Sequence, residues 1–539
     1  MQYVLPFILA MVITMLGLPL FMRLAQRWLI VDQPGARKVH ATPIPRIGGL
    51  AMACGVAVAA IVAIDLQAQD RWLLVAAGVL VLFGALDDRF DMDYRIKLVG
   101  QILAVLIVVF PGGVQLHRIM LADPLELPAW IALPLTVFFL VGVTNAINLA
   151  DGLDGLAGGT TFLCLCAVAL LSSVGDPGHS TAIALAFAGA VLGFLRYNTY
   201  PASVFMGDAG SQLLGFASGV LSIRATQGTS TQVSAAVPVL LLAVPILDTL
   251  SVMVQRIGEG RSPFSPDKNH IHHKLLALGF RHHEAVTVIY GIQAVLFVST
   301  YFLRYESDLL IVGIVSALFA LTIVGLQVAA RRGWRLHAHG PAAPRAAAGG
   351  PHSLARLSSL GLTVAMGVYA CTVAAETVLL SGDLRVLVEA LLVTMAGCAL
   401  VMRTKPLGFA EKSALFVTAT VLVYLDTVES PAYRSLTLVG NAAISVAAVT
   451  AVLRVGLFND RRFQLTPLDL IVLFMALVVP SLIGGLTLPH GGALAIGKLV
   501  VLFYGVELLL SRCDGRDGWV RVAAVAVLAA LLIRAHLLL

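Results

Sequence analysis

Apolar stretches of about 15–23 residues recur from one end of the chain to the other, separated by short polar segments. A helix needs roughly 20 such residues to cross a bilayer core about 30 Å thick. The apolar positions run continuously instead of alternating, which excludes the period-2 pattern of a membrane β-barrel. The pattern therefore predicts an all-α polytopic integral membrane protein. About eleven spans fall near 3–24, 47–64, 72–86, 96–110, 128–149, 158–174, 181–195, 212–223, 234–254, 285–303 and 309–329. About seven more fall near 358–380, 386–401, 414–425, 435–453, 468–486, 494–510 and 519–539. Between the two sets, residues 331–356 are rich in Ala, Gly and Pro with scattered positive charge, which reads as a flexible cytosolic linker. The expected organisation is a membrane domain at 1–330, that linker, and a second membrane domain at 357–539 that repeats none of the first one's polar motifs.

Composition agrees with the pattern. Of 539 residues, 59% are hydrophobic and 12% charged, against roughly 25% charged in soluble domains. Arg23 and Arg27 follow the first span and no basic segment precedes it, so it is expected to be a retained helix with its N-terminus outside. On that orientation the odd-to-even connections up to residue 330 carry about fourteen Lys and Arg, against about four on the other side, as the positive-inside rule requires. The net charge of +6 is spread over short loops, which fits anionic membrane lipid and excludes a nucleic-acid partner. Five of the six cysteines lie within apolar spans and Cys513 in a loop, so neither disulfides nor a metal cluster is expected.

Polar islands interrupt the first half, and the span count puts them all on the cytosolic side. Asp87 and Asp88 end the third span, with Asp91 and Asp93 close behind. Adjacent carboxylates repel unless a cation or base offsets the charge, and Lys97 begins the next helix. A solvated acidic loop is the bland alternative. Between the fifth and sixth spans, Asn145, Asn148, Asp151 and Asp154 recur every third residue, one stripe in helical geometry. The glycines at 152, 155, 158 and 159 allow close approach of a ligand or of a neighbouring helix. Helix packing alone leaves four amide and carboxylate groups near the bilayer unexplained, where unpaired polar groups are costly. Asp208, in Gly207-Asp208-Ala209-Gly210-Ser211, opens the eighth span; alone it reads as a helix N-cap, and with the other carboxylates as a Mg²⁺ ligand. His270-Ile271-His272-His273 with nearby lysines suits pyrophosphate oxygens, as donors and partial cations. Zinc is the rival reading, disfavoured by the basic neighbours and the absence of cysteine.

Taken in order, these pieces closely resemble the polyprenyl-phosphate N-acetylhexosamine-1-phosphate transferase family (glycosyltransferase family 4), in its WecA/TagO-like bacterial branch. The matching segments are Arg37-Lys38-Val39-His40 with Pro43-Ile44-Pro45-Arg46-Ile47-Gly48-Gly49, Asp87-Asp88-Arg89-Phe90-Asp91, Arg95-Ile96-Lys97, residues 145–159, Met206-Gly207-Asp208-Ala209-Gly210-Ser211 and the histidine motif. The resemblance covers roughly residues 1–330. It implies transfer of a sugar 1-phosphate from a UDP-sugar to undecaprenyl phosphate at the cytosolic face of the inner membrane, releasing UMP. It implies Mg²⁺, with Mn²⁺ as a substitute, on Asp208 and Asn148 with Asp88 close by. Asp87, Asp88, Asp208, His270, His272 and His273 would be catalytic. Lys38, His40, Arg46, Asp91, Lys97, Asn145, Asp151 and Asp154 would bind substrate, Asp151 and Asp154 on the uridine or sugar side. The His-Ile-His-His form favours an N-acetylglucosamine donor. A homodimer and downstream glycosyltransferases are further partners that such an enzyme could have.

The second membrane domain has no counterpart in that resemblance. Lys498 and Glu507 fall in one predicted span, about 180° apart at 100° per residue, so they do not pair with each other. Each needs a partner elsewhere or must snorkel to an interface. A transporter or flippase and a docking platform are the alternatives for this half.

Overall fold

In a computed structural model, residues 3–28, 30–33, 43–121, 123–175, 179–228, 233–262, 269–337, 352–376, 409–427, 436–458 and 518–537 are described, with scattered residues between 385 and 508. The chain forms two compact units, Met1–Gly340 with Thr466–Ile471, and Pro341–Leu465 with Val472–Leu539.

The first unit is a helix bundle: α1 (Val4–Trp28), α2 (Gly48–Ala63), α3 (Ala68–Phe90), α4 (Tyr94–Val109), α5 (Ala129–Ala150), α6 (Leu156–Gly175), α7 (His179–Asn198), α8 (Gly207–Gln227), α9 (Val237–Leu241), α10 (Ala243–Gly258), α11 (Ile271–Ala277), α12 (His282–Leu303) and α13 (Asp308–Arg331). Six helices among the described residues are long and apolar enough to cross a membrane: Leu5–Trp28, Ala129–Ala150, Leu156–Ser173, Ser180–Asn198, His282–Leu303 and Asp308–Arg331. The protein is thus a multi-pass membrane protein. Two short antiparallel hairpins, Val31–Asp32 with Ile44–Pro45 and Arg118–Met120 with Pro124–Glu126, depart from the all-α expectation. Both lie between helices, so they do not change the class.

α8 is the central helix, buried along nearly its whole length and packed by α2, α3, α5 and α6. Its small residues make this possible, because lipid supplies no hydrophobic drive between helices and close backbone packing must do so. A Cβ added at Gly49 of α2 would stand 2.2 Å from the Gly210 nitrogen, and one at Gly84 of α3 would stand 2.4 Å from Ala209 Cα. α2 and α3 therefore meet the first turn of α8 backbone to backbone. The far end of α8 is tied by the buried pair Arg224–Asp70 at 2.8 Å.

The single span expected over 234–254 is broken instead. α9 and α10 share Leu242 as their boundary. Pro245 has no N–H to give the Leu241 carbonyl four residues back, and Gln293 of α12 takes that carbonyl at 2.8 Å. Of the expected linker, residues after α13 fold back on this unit: Leu336 N–H donates to Leu278 O at 3.0 Å and His337 pairs with Glu284 at 3.0 Å.

The second unit contains the helices His352–Glu376, Phe409–Thr427, Thr437–Phe458 and Gly518–Leu537. Leu362, Ala365, Ala447, Ala451 and Leu508 form its described core. Lys498, 4% exposed, has its partner in Asp426 of a different helix, and Asp426 also accepts from Tyr369 OH at 2.9 Å. Glu507 lies outside the described residues.

Candidate active site

Two helix ends and one loop build the site. The first turn of α8 projects Gly207 and Asp208 towards the last turn of α3. Gly207 sits at φ +70°, and a Cβ there would stand 2.4 Å from the Asp88 carboxylate, so both backbone angle and space require glycine. Across that gap Asp88 accepts from the backbone N–H of Asp208 at 2.9 Å and of Ala209 at 3.1 Å. A carboxylate on the orphan amides of a helix start satisfies donors that have no partner within the helix and also meets the positive end of the dipole. Asp88, and not Asp208, caps α8.

Asp208 is thereby left to face the neighbouring helices. Its Oδ2 lies 3.0 Å from Lys97 Nζ of α4, and Lys97 also lies 2.5 Å from buried Asp87. Asp87 and Asp208 stand within hydrogen-bond reach of each other, joined by that one ammonium. Asn148, at the end of α5, donates to Asp208 Oδ1 at 3.1 Å and to Ser211 Oγ at 2.7 Å. Arg46 comes alongside because the 44–49 segment pairs with 205–206: Gly48 N–H donates to Phe205 O at 3.0 Å and Gly49 N–H to Met206 O at 2.9 Å. Its guanidinium pairs with Asp32 and acts electrostatically on Asp88 and Asp151.

The loop after α5 joins this cluster to the histidine motif. Asp151 is pushed up to about 7, first by desolvation and then by the charges of Asp208 and Asp154, which puts it on the edge of the acidic cluster. Next to it, Gly152 has His272 lying against it: a Cβ would stand 2.3 Å from His272 Nε2. His272 is 3% exposed, and that Nε2 has no protein partner among the described residues. Burial, and then the neighbouring His273, hold its pKa down at about 4. Of the histidines read as donors and partial cations, His272 is the one whose charged form burial disfavours. It stacks on His270, with centroids 5.8 Å apart and planes at 10°, and lies tilted at 44° against His273, with centroids 4.2 Å apart.

His270 leads to a residue that the motif reading passed over. Its Nδ1 lies 2.9 Å from Asp248 Oδ2, and Asp248 Oδ1 accepts the Ile271 N–H at 2.7 Å. Asp248 was visible in the sequence as a lone carboxylate inside the apolar 234–254 stretch, a placement that itself marks a buried polar partner.

The other described candidates lie around this cluster with partners or positions of their own. Both polar atoms of Asn145 are engaged, with Gln101 at 2.8 and 3.3 Å and with Val141 O at 2.8 Å, one turn deeper than Asn148. Asp91 is an exposed left-handed C-cap of α3, at φ 50°. Asp154 accepts Ala202 N–H at 2.9 Å and so pins the 199–203 turn. Lys38 and His40 lie outside the described residues.

The model of the family described as glycosyl transferase family 4 matches residues 71–226, which include Asp87, Lys97, Asn148 and Asp208. A "Probable undecaprenyl-phosphate N-acetylglucosaminyl 1-phosphate transferase" of Bacillus subtilis is 37% identical over 308 residues, covering 56% of this chain and 85% of that protein. A "Decaprenyl-phosphate N-acetylglucosaminephosphotransferase" of Mycolicibacterium smegmatis is 36% identical over 344 residues, 58% of this chain and 84% of its own. The Escherichia coli K12 "Undecaprenyl-phosphate alpha-N-acetylglucosaminyl 1-phosphate transferase" is 30% identical over 327 residues, 58% of this chain and 87% of its own.

Proposed function

The chain belongs to glycosyl transferase family 4, and we propose that it transfers N-acetylglucosamine 1-phosphate from UDP-N-acetylglucosamine to undecaprenyl phosphate, releasing UMP. The observation that carries this reading is the meeting of Asp87, Asp88, Lys97, Asn148 and Asp208 at one end of a membrane helix bundle. The Lys and Arg bias of the loops supports a cytosolic position for that end, at the bacterial inner membrane, with the chain's start outside.

The donor set fits Mg²⁺, with Mn²⁺ as a substitute. Asp208 and Asn148 adjoin and offer hard oxygens, and Asp88 lies against the same helix start. No group of three or more His, Cys, Asp or Glu that could hold a metal occurs among the described residues. That suits an ion which takes one or two carboxylates and completes its shell with substrate phosphate and water. When bound, the ion would neutralise charge on the pyrophosphate.

The acceptor phosphate has a second pKa of about 6 and is mostly dianionic near neutral pH, so little base catalysis is needed. The larger barrier is bringing it against a second anion. Lys97 supplies a fixed cation, and the ring of His273 supplies a donor. One oxygen of the lipid phosphate attacks the β-phosphorus in line, and the bond from that phosphorus to the bridging oxygen breaks to release UMP. Asp88 supports this single displacement over a covalent route, because a carboxylate already accepting two backbone N–H bonds is a weakened nucleophile. The product is the acceptor that downstream glycosyltransferases would extend. The test is incubation of membranes with labelled UDP-N-acetylglucosamine, undecaprenyl phosphate and Mg²⁺. The labelled pyrophosphoryl lipid should form with one UMP per lipid, stop with EDTA, and be absent in an inserted Asp208→Ala variant. Lipid product at an unchanged rate in that variant would remove Asp208 from the machinery.

A further inference from the structure

We infer that Asp248 is the positioning residue of the histidine motif, holding His270 by its Nδ1 and the start of α11 by its first N–H, and through them setting His272 against Gly152. This inference rests on the transfer reading above and adds a residue from α10 to it.

The geometry is that of one carboxylate with two separate tasks. Oδ2 faces His270 Nδ1 at 2.9 Å, and Oδ1 accepts Ile271 N–H at 2.7 Å. Asp248 and His270 are 5% and 6% exposed, so bulk solvent does not compete for either bond. His270 occupies the N-cap position of α11 but makes no side-chain capping bond of its own. Asp248 supplies that acceptor from another helix. A carboxylate on Nδ1 also decides which ring nitrogen carries the proton: Nδ1–H donates to it, and Nε2 is left as the ring's other polar atom. The ring so fixed is the one on which His272 stacks nearly parallel, at 5.8 Å and 10°. His272 in turn rests on Gly152, beside Asp151. Behind the motif, a cavity of about 20 Å³ lined by Asp248, His272, Thr160, Pro245 and Ile289 has room for about one water.

The test uses the full chain with UDP-N-acetylglucosamine, undecaprenyl phosphate and Mg²⁺, comparing Asp248→Asn, His270→Ala and the double variant. An amide keeps the size and one acceptor, which can still cap Ile271, but presents N–H₂ where His270 needs an acceptor. Asp248→Asn should still fold, with a lowered unfolding midpoint, lose about 10- to 100-fold in kcat, and keep its KM for the UDP-sugar. The double variant should be no slower than His270→Ala alone, because a residue acting through another adds nothing once that other is gone. Full kcat in Asp248→Asn, or losses that multiply in the double variant, overturns the assignment. Where Asp248→Asn is not recovered folded, His270→Asn serves. Its amide nitrogen can donate to Asp248 as Nδ1 did, without an Nε2, so it should fold and be as slow as His270→Ala; a wild-type rate there also overturns the assignment. A wild-type chain that makes no lipid product fails before any variant is compared, and withdraws the transfer reading together with the role built on it.

Discussion

Gly84→Ala tests most directly how the acidic cluster is held. A Cβ at Gly84 would stand 2.4 Å from Ala209 Cα, 2.5 Å from Ala209 N and 2.9 Å from the Asp208 carbonyl carbon. All three are backbone atoms, so no rotamer change relieves the clash. Ordinary contact begins at 3.4 Å, so α3 and α8 must part by about 1 Å, the difference between that and the shortest distance. Asp88 lies one turn further along α3 and moves with it. Its bonds to the Asp208 and Ala209 amides, now 2.9 and 3.1 Å, would stretch to about 4 Å, past hydrogen-bond reach. Overpacking of this kind costs about 1–3 kcal/mol, and a displacement near 1 Å at reacting groups costs about 100-fold in rate. The expected variant is therefore folded, with a lowered unfolding midpoint and about 1% of wild-type transfer. Gly78 of the same helix provides the control, since a Cβ there meets nothing within 4 Å. Gly78→Ala should gain helix propensity, about 1 kcal/mol at most, and transfer normally. The assay is the initial rate of lipid-linked product beside thermal unfolding of the full chain. A normal rate in Gly84→Ala, or an equal loss in Gly78→Ala, would refute the claim that backbone contact between α3 and α8 sets the site.

Lys97→Met leaves Asp87 and Asp208 without their shared ammonium, and kcat should fall by about 100- to 1000-fold; a loss under tenfold would mean that Lys97 only balances charge at rest. His272 should make the fold acid-sensitive. Its folded pKa of about 4 lies below the ordinary 6.5, so from pH 6.5 down to about 4 the unfolded chain binds a proton that the folded chain refuses, and stability falls on acidification. The loss is on the order of 3 kcal/mol, and unfolding midpoints measured from pH 7.5 to 4.5 should be flatter in His272→Gln; identical slopes would mean that the ring is not buried neutral. In the second unit, Lys498→Met strands buried Asp426 and should destabilise by about 3–5 kcal/mol. Adding Asp426→Asn should recover most of that, and failure to do so in a double-variant melt would show that the pair is not coupled.

How much of this was legible beforehand depends on where each interaction's partner lies. Asp87, Asp208, Asn148 and the histidines stood out because carboxylates, amides and imidazoles beside apolar runs are expensive unless used. Asp88 also stood out, but its partners did not. They are the backbone amides of Asp208 and Ala209, present at every residue and without any sequence signature. Likewise, the stripe of every third residue from Asn145 promised one polar face, yet Asn145 turns to Gln101, whose importance depends on α4 lying beside α5. Gly84 reads as an ordinary glycine of an apolar helix, and Gly49 only as the end of a matching motif, until α8 is seen lying against them. The break at Leu242 could have been suspected from Pro245, but its tolerance depends on Gln293, 48 residues further on. The recurring pattern is that one partner of each bond was readable, and that the other was supplied by packing.

The cluster's charge balance explains why so few cations are built into it. Asp87, Asp88, Asp151 and Asp208 converge, and the described cations acting on them are Lys97 and Arg46, with Arg46 already paired to Asp32. Two more fixed lysines would neutralise the resting site, but they would also hold both phosphates tightly before reaction and after it. Binding that is equal in ground and transition states does not raise kcat. On the proposed reading, a surplus of carboxylate would instead leave the site incomplete until a divalent cation and the pyrophosphate are bound, so that positive charge would enter with the substrate. On this view Lys97 is placed by its two carboxylates more than it neutralises them, and Asp88 contributes by holding the start of α8 where Asp208 can meet the donor. The backbone contacts at Gly49 and Gly84 belong to the same arrangement, because they hold in place the helix start that carries Asp208.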